Sequence, residues 1–106
     1  MIYHVVTSHE WKQQHNADQF APASFADEGF IHCCTQVQLA GVLERYYKGR
    51  TDLLLLTIDD QALAFPVKYE RATNNELFPH LYGIINKNAI TAVEKITYPS
   101  ANESCF

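Results

Sequence analysis

Several features that mark other protein classes are missing from this sequence. No apolar run approaches the roughly 20 residues that a membrane-spanning helix needs, and the four leucines of Leu53–Leu56 have only the length of a buried strand. The first residues lack the charged-then-apolar pattern of a secretion signal. We therefore expect a cytoplasmic protein that has no membrane partner.

Basic residues are also scarce. Eight lysines and arginines stand against twelve aspartates and glutamates, which gives a net charge of −4. Nucleic-acid binding relies on clustered basic side chains, and no such cluster occurs here. We expect no nucleic-acid partner. A small-molecule ligand, even an anionic one, is compatible with this net charge, because the charge of a local site can be opposite to that of the whole chain.

Cysteine spacing argues against a metal site and a disulfide framework. Cys33 and Cys34 are adjacent, Cys105 lies in the tail, and no Cys-x-x-Cys or closely spaced histidine pair occurs. We predict no bound metal and reduced structural thiols. A Cys34–His32 nucleophile is an alternative, because the two residues share a strand face, but it requires an ionised thiol. It ranks below the non-covalent interpretations.

The composition is that of a globular protein, with 47% hydrophobic residues and few glycines or prolines in 106 residues. We predict one α+β domain over residues 1–99 and a polar C-terminal tail over residues 100–106. Helices fall early and strands late, which favours a mainly antiparallel sheet.

Hydrophobic patterning and capping signals predict two helices and five or six strands. The helices are expected at Ser8–Ala17, after a Thr7–Glu10 capping box, and from a Thr35–Gln38 capping box to Tyr47. Strands are expected at Ile2–Val6, within Gly29–Cys34, at Leu53–Ile58, Val67–Glu70 and Ala89–Tyr98, and around Phe78–Ile85. The Leu53–Ile58 run predicts a central strand buried on both faces.

Residues 18–28 form a predicted loop that carries two aromatic residues, Phe20 and Phe25, beside Pro22. Aromatic side chains in a loop indicate that the loop folds back onto the body of the domain. Loops of this length in small domains often carry function. We predict that this one covers the ligand site.

The segment Phe78–Gly83 is the strongest candidate for a functional site. Pro79 favours an extended backbone before it, and side chains alternate along an extended segment, so His80 and Tyr82 point to one face. Two polar aromatic side chains on one face are unusual in a core. Together they predict a small polar site.

Two further residues are candidates for the same site. His32 lies in an apolar strand, where a buried structural histidine is the alternative interpretation. Glu70 is the only carboxylate within its strand, and a solvated glutamate is the alternative there. A histidine can act as a general base, a glutamate can activate a nucleophile, and a tyrosine can stack on a heterocycle.

The motifs Gly29–His32 and Phe78–Gly83, with Glu70 between them, resemble those of a family of small, mainly bacterial proteins known as domain of unknown function 952. The resemblance extends over roughly the first hundred residues. One departure is Cys34, at a place where the family often has serine.

The fold of that family has been likened to ADP-ribosyltransferases. The likeness implies a split antiparallel sheet that holds a nucleotide, with NAD as the possible cofactor and glycosidic transfer as the possible reaction. His4 and His32 then resemble, in order, a ribose-contacting histidine and a residue that positions nicotinamide. Glu70, His80 or Tyr82 would assist transfer.

The leading hypothesis is a cleft for a nucleotide-like small molecule. The catalytic candidates are His32, Glu70 and His80, and the ligand-binding candidates are His4, His32 and Tyr82. One alternative is a non-enzymatic module that binds a metabolite in the same cleft. Another is a protein-interaction module in which these polar aromatic residues are structural.

Overall fold

The computed structural model describes residues 1–96, which form eight strands and three helices joined by short 3-10 turns. The strands are β1 Ile2–Thr7, β2 Gln19–Phe20, β3 Ile31–His32, β4 Leu53–Ile58, β5 Val67–Arg71, β6 Leu77–Leu81, β7 Ile85–Asn86 and β8 Ile90–Ile96. The helices are α1 Ser8–Gln13, α2 Phe25–Glu28 and α3 Leu39–Tyr46. The fold is α+β, as predicted.

The strands form three antiparallel sheets, with the orders β1-β4-β8, β2-β7 and β3-β6-β5. The predicted count of five or six strands in one split sheet is therefore wrong. The prediction missed β2 and β7 because each has only two residues, too few to show an alternating pattern. The count of two helices is also wrong, since α2 is a single turn within the predicted loop.

Strand β4 occupies the centre of its sheet, as the leucine run predicts. Leu53 and Leu55 belong to one buried cluster, whereas Leu56 and Ile58 belong to the other. Alternate side chains of a strand point to opposite faces, so β4 supplies both cores. The sheet therefore separates the two hydrophobic clusters of the domain.

Helix α1 begins where its capping signal predicts and ends early. The Thr7 hydroxyl accepts a hydrogen bond from the Glu10 amide at 3.1 Å. The Glu10 carboxylate does not complete a reciprocal box; it accepts from the Ala23 amide at 2.6 Å. The side chain of Gln14 then pairs with both backbone groups of Ala21, at 2.8 and 3.1 Å. These bonds tie residues 18–28 to α1, and the helix ends at Gln13 rather than Ala17.

The segment of residues 18–28 folds back onto the body, as its aromatic residues predict. Phe20 is fully buried and contacts the Trp11 ring at a centroid distance of 5.2 Å. It also pairs with Ile85 between β2 and β7. The first half of this segment is therefore part of the main core.

The approach to α3 has the predicted reciprocal capping box. Thr35 accepts from the Gln38 amide, and the Gln38 side chain accepts from the Thr35 amide at 2.9 Å. The first turn is a 3-10 turn at Gln36–Gln38, and α3 follows it. Helix α3 ends at Tyr46 with Tyr47 as its C-cap, one residue short of the predicted end. Gly49 adopts its left-handed φ of 78° two residues later.

Gly83 is required by a neighbouring ring. An ideal Cβ at this position would lie 2.1 Å from Cγ of Phe65, far inside van der Waals contact. The positive-φ glycines among residues 1–96 are Gly29 and Gly49. Close packing against Phe65, and not a positive φ, is therefore the reason for glycine at position 83.

Strand β8 ends at Ile96 within the described part of the chain, so its predicted extension to Tyr98 and the predicted tail over residues 100–106 lie outside the described residues. No helix in residues 1–96 is long and apolar enough to cross a membrane.

Candidate functional site

Glu70 is the point at which the Phe78–Gly83 segment meets its neighbouring strand. Its Oε1 atom accepts a hydrogen bond from the Tyr82 hydroxyl at 2.6 Å and lies 2.8 Å from Nδ1 of His80. The two-residue spacing of His80 and Tyr82 therefore brings both side chains to one carboxylate oxygen. The structure therefore brings these three residues together, and their role as a functional site stays a prediction.

The sheet register determines what surrounds His80. Strand β6 lies between β3 and β5, with His32 opposite His80 on one side and Lys68 opposite on the other. The Phe30 ring stacks on His80 at a centroid distance of 4.3 Å, and the His32 ring meets it edge-on at 5.4 Å. His80 is consequently only 5% exposed.

Charge and hydrogen bonding assign the protons of the cluster. Hydrogen bonds from Tyr82 and then from His80 lower the pKa of the Glu70 carboxyl below its usual value. The hydrogen bond to Glu70 raises the pKa of Tyr82, so the phenol keeps its proton. An ionised carboxylate can only accept hydrogen bonds, so Nδ1 of His80 carries the proton. In neutral His80 the lone pair is therefore on Nε2.

His4 has the same arrangement on a different strand. Its Nδ1 lies 2.7 Å from the backbone oxygen of His32, which can only accept, so Nδ1 carries the proton. Burial lowers the pKa of His4, and the ring is 7% exposed. His4 is therefore neutral near pH 7, with its lone pair on Nε2. The Nε2 atoms of His4 and His80 are both buried and have no hydrogen-bond partner in the described residues.

One cavity of about 540 Å³ brings His4, His32 and His80 together. Aromatic side chains contribute much of its remaining wall: Tyr3, Tyr46, Tyr47 and Phe78. Pro22 and Ser24 line it from the segment of residues 18–28, which therefore lies where the predicted cover would lie. Sequence reasoning missed Tyr46 and Tyr47, because the contact between α3 and the site is purely tertiary.

His32 differs from the other two histidines. Its side chain is 55% exposed, and Nε2 lies 3.0 Å from a carboxylate oxygen of Glu28. The alternative of a buried structural histidine at position 32 is therefore wrong, and the buried histidines are His4 and His80. The bond to His32 lowers the pKa of Glu28. Their four-residue spacing was the available signal for this pair.

Glu70 and Tyr82 line none of the cavity; the structure places them beside His80. Lys68 lies over the Tyr82 ring, with Nζ 4.9 Å from the ring centroid. Glu70 is thus connected to the cavity through its hydrogen bond with His80. Direct contact of Tyr82 with a ligand stays a prediction.

The cysteines of the site are buried thiols. Burial raises the pKa of Cys34 to about 12 and raises that of Cys33 as well. Neither thiol ionises near pH 7, which argues against the Cys34–His32 nucleophile. Within residues 1–96, no three histidine, cysteine, aspartate or glutamate side chains are grouped so that they could hold a metal ion.

The buried His4 predicts a pH dependence of stability. Below pH 6.5, the ordinary histidine pKa, an unfolded His4 binds a proton that the native residue does not. Stability is therefore complete above this pH and falls as the pH decreases, by at most about 1.4 kcal/mol per pH unit. Denaturant unfolding between pH 7.5 and 5 should show a flatter profile for His4→Asn than for the native chain.

A matched control for that profile is His15→Asn, because Nδ1 of the exposed His15 also lies near a backbone oxygen, that of Lys12 at 2.9 Å. This variant should keep the native slope. The pKa values of Glu28 and Glu70 are lowered, so the stability that these two carboxylates contribute is lost only as the pH falls below 4.5, their ordinary pKa. An unchanged slope in His4→Asn would contradict the assignment of a neutral buried His4.

Comparison with solved structures finds chains of similar fold. A crystal structure of CC0527 from Caulobacter crescentus matches with a TM-score of 0.82 and 21% identity, covering 99% of this chain and 98% of that one. The solution NMR structure of CC0527 matches with a TM-score of 0.76 and 24% identity, covering 93% and 88%. No curated protein matches the chain. At these identities the likeness shows the fold alone.

A crystal structure of a double mutant of CC0527 matches similarly, with a TM-score of 0.81 and 20% identity over 99% of this chain and 98% of that one. None of these three structures supports the expected likeness to ADP-ribosyltransferases. The profile of the family described as "Protein of unknown function (DUF952)" matches residues 5–93. The match covers most of the chain, and the motifs that predicted this family fall within it; the chain belongs to the DUF952 family.

Proposed function

We propose that this protein binds a nucleotide-like small molecule in the cavity lined by His4, His32 and His80, and that His80 exchanges a proton with it. The proposal rests on how the two ring nitrogens of His80 are hydrogen-bonded. Glu70 holds Nδ1, whereas Nε2 is buried without a partner in the described residues. Buried polar atoms are nearly always hydrogen-bonded, so a ligand that donates a hydrogen bond to Nε2 of His80 would be favoured in this cavity.

The geometry suits general acid–base catalysis. A carboxylate that binds one imidazole nitrogen fixes the ring orientation and tautomer, which leaves the other nitrogen to take or return a proton. Glu70 has this positioning role at 2.8 Å, and the second hydrogen bond, from Tyr82, fixes the carboxylate in turn. His80 is the catalytic candidate under this proposal, and Glu70 and Tyr82 support it.

The size and lining of the cavity favour a flat organic ligand. Its volume of about 540 Å³ lies within the range of roughly 300–1,000 Å³ that is typical of small-molecule sites. Aromatic walls suit stacking on a heterocycle. NAD is the first candidate because of the resemblance that the motifs carry. Transfer at its glycosidic bond would release neutral nicotinamide while His80 removes the proton of the attacking acceptor.

A non-enzymatic metabolite sensor is the second candidate. The thiol of Cys34 is protonated near pH 7, and the Glu10 carboxylate accepts a bond from the Ala23 amide. The cavity therefore offers no ionised thiol as a nucleophile among its described residues. Binding without turnover fits this observation as well as proton transfer to a bound acceptor does.

A thermal-shift titration tests the proposal. The panel contains NAD, ADP-ribose, the common nucleotides and their nucleosides. A ligand at a hundred times its dissociation constant stabilises a fold by about 2.7 kcal/mol. The decisive variant is His80→Asn, since an asparagine amide can still donate to Glu70 but has no atom in place of Nε2. We expect its ligand-induced shift to disappear.

The matched control is His9→Asn on the exposed face of α1, which should keep the full shift. A shift that survives in His80→Asn would contradict the assignment of His80, and the absence of any shift across the panel would remove the nucleotide-like ligand. Incubation with the stabilising compound then separates the two candidates, because an enzyme converts it and a sensor does not.

A further inference from the structure

The walls of the cavity contain no fixed positive charge. Among residues 1–96, none of the side chains that line it is a lysine or an arginine, and the one carboxylate there, Glu10, is negative. The sequence from position 97 to 106 contains no lysine or arginine either. The cavity therefore has no lysine or arginine side chain with which to pair a buried anion; its basic side chains are three histidines, of which His32 already lies against the Glu28 carboxylate.

A phosphate group would be costly in such a cavity. Proteins bind phosphate with arginine or lysine side chains or with aligned backbone amides, and a buried charge without a partner is strongly unfavourable. Glu10 would add repulsion. Lys68 is the basic residue opposite His80 in the sheet, but it lies over Tyr82 and outside the cavity wall.

Two of the histidines that line the cavity have a buried ring nitrogen without a hydrogen-bond partner in the described residues. Nε2 of His4 carries a lone pair because the His32 carbonyl fixes the proton on Nδ1, and Nε2 of neutral His80 is in the same state. In this state each of the two atoms can accept a hydrogen bond from a donor on the ligand. Hydroxyl groups of a ribose or N–H groups of a base are such donors, whereas phosphate oxygens are acceptors.

We infer that the part of the ligand enclosed by this cavity is uncharged and rich in hydrogen-bond donors, as in a nucleoside or free base, and that His4 accepts a hydrogen bond from it. This inference rests on the proposed function and narrows its ligand class. Any phosphate of a larger ligand lies outside the cavity wall. His4 is then a specificity-determining residue rather than a catalytic one.

Isothermal titration calorimetry of matched pairs tests the inference on the full chain. The pairs are adenosine with its monophosphate and likewise guanosine, cytidine and uridine, together with the free bases. The nucleoside that binds should do so at least tenfold more tightly than its own monophosphate. Substituting His4→Asn keeps a donor for the His32 carbonyl and removes the acceptor, so the affinity for that nucleoside should fall about tenfold.

His15→Asn is the matched control and should leave the affinity unchanged, and circular dichroism checks that both variants are folded. Tighter binding of a monophosphate than of its nucleoside would overturn the inference and leave the proposed function standing. An unchanged nucleoside affinity in folded His4→Asn would overturn the role of His4. If no base, nucleoside or nucleotide binds, the proposed function fails and the inference fails with it.

Discussion

Replacing Phe20 by alanine is expected to lower the free energy of unfolding by about 3–5 kcal/mol, the usual loss for a fully buried phenylalanine. Phe20 has no exposed surface and lies between the rings of Trp11 and His4, with centroid distances of 5.2 and 6.2 Å. Alanine would leave a cavity beside Ile85, the partner of Phe20 in the β2–β7 pair. This loss is a large fraction of the free energy of unfolding of a small domain.

Urea unfolding of Phe20→Ala measures this loss. Phe65→Ala provides a control of the same residue type, since Phe65 is 44% exposed and should cost clearly less. A loss below about 1 kcal/mol for Phe20→Ala would contradict the inclusion of this segment in the core. In that case residues 18–28 would be a loosely attached cover.

Gly83→Ala is expected to destabilise the protein by about 1–3 kcal/mol, the range for adding atoms to a packed site. The new Cβ would lie 2.1 Å from Cγ and 2.4 Å from Cβ of Phe65. These atoms are close to the backbone of Phe65, so a rotation of the outer ring cannot relieve the overlap. The strand that carries His80 would have to move away from Phe65.

Differential scanning calorimetry of a double-mutant cycle checks this explanation. Phe65→Ala should restore much of the stability that Gly83→Ala loses, because it removes the overlapping ring. Gly41→Ala, within α3, serves as the matched glycine control; its Cβ would meet only the flexible Arg45 guanidinium at 3.3 Å. That change should be neutral or mildly stabilising. Additive effects of the two substitutions at positions 65 and 83 would contradict a direct clash.

Long, regular segments of the fold could be predicted from the sequence. The apolar run of β4 and the capping pair Thr35–Gln38 are local signals, and both elements occur where those signals place them. The pairing of β2 with β7 joins residues more than sixty positions apart and involves only two residues of each strand. No local pattern encodes a contact of that kind, and the strand count was wrong for this reason.

The candidate site was also predictable only in part, because some of its contacts follow from local spacing and others are tertiary. The spacing of His80 and Tyr82 in an extended segment places both on one face, and this alternation brings them to Glu70. The proton positions depended on tertiary contacts. Burial of His4 and its bond to the His32 carbonyl became visible only in the assembled fold. Sequence alone thus identified the polar residues but not which nitrogen atoms are free.

The β5–β6 hairpin carries Glu70 and His80, with Tyr82 just beyond it, whereas β1 and α3 supply many of the other residues that line the cavity. Under the proposed function, the group that exchanges a proton and the residues that shape the cavity thus belong to separate stretches of the chain. Substitutions at Val42 or Tyr46 can change which molecule fits while Glu70 still orients His80. Substitutions in the cavity wall can therefore change ligand specificity while the Glu70–His80 pair is kept.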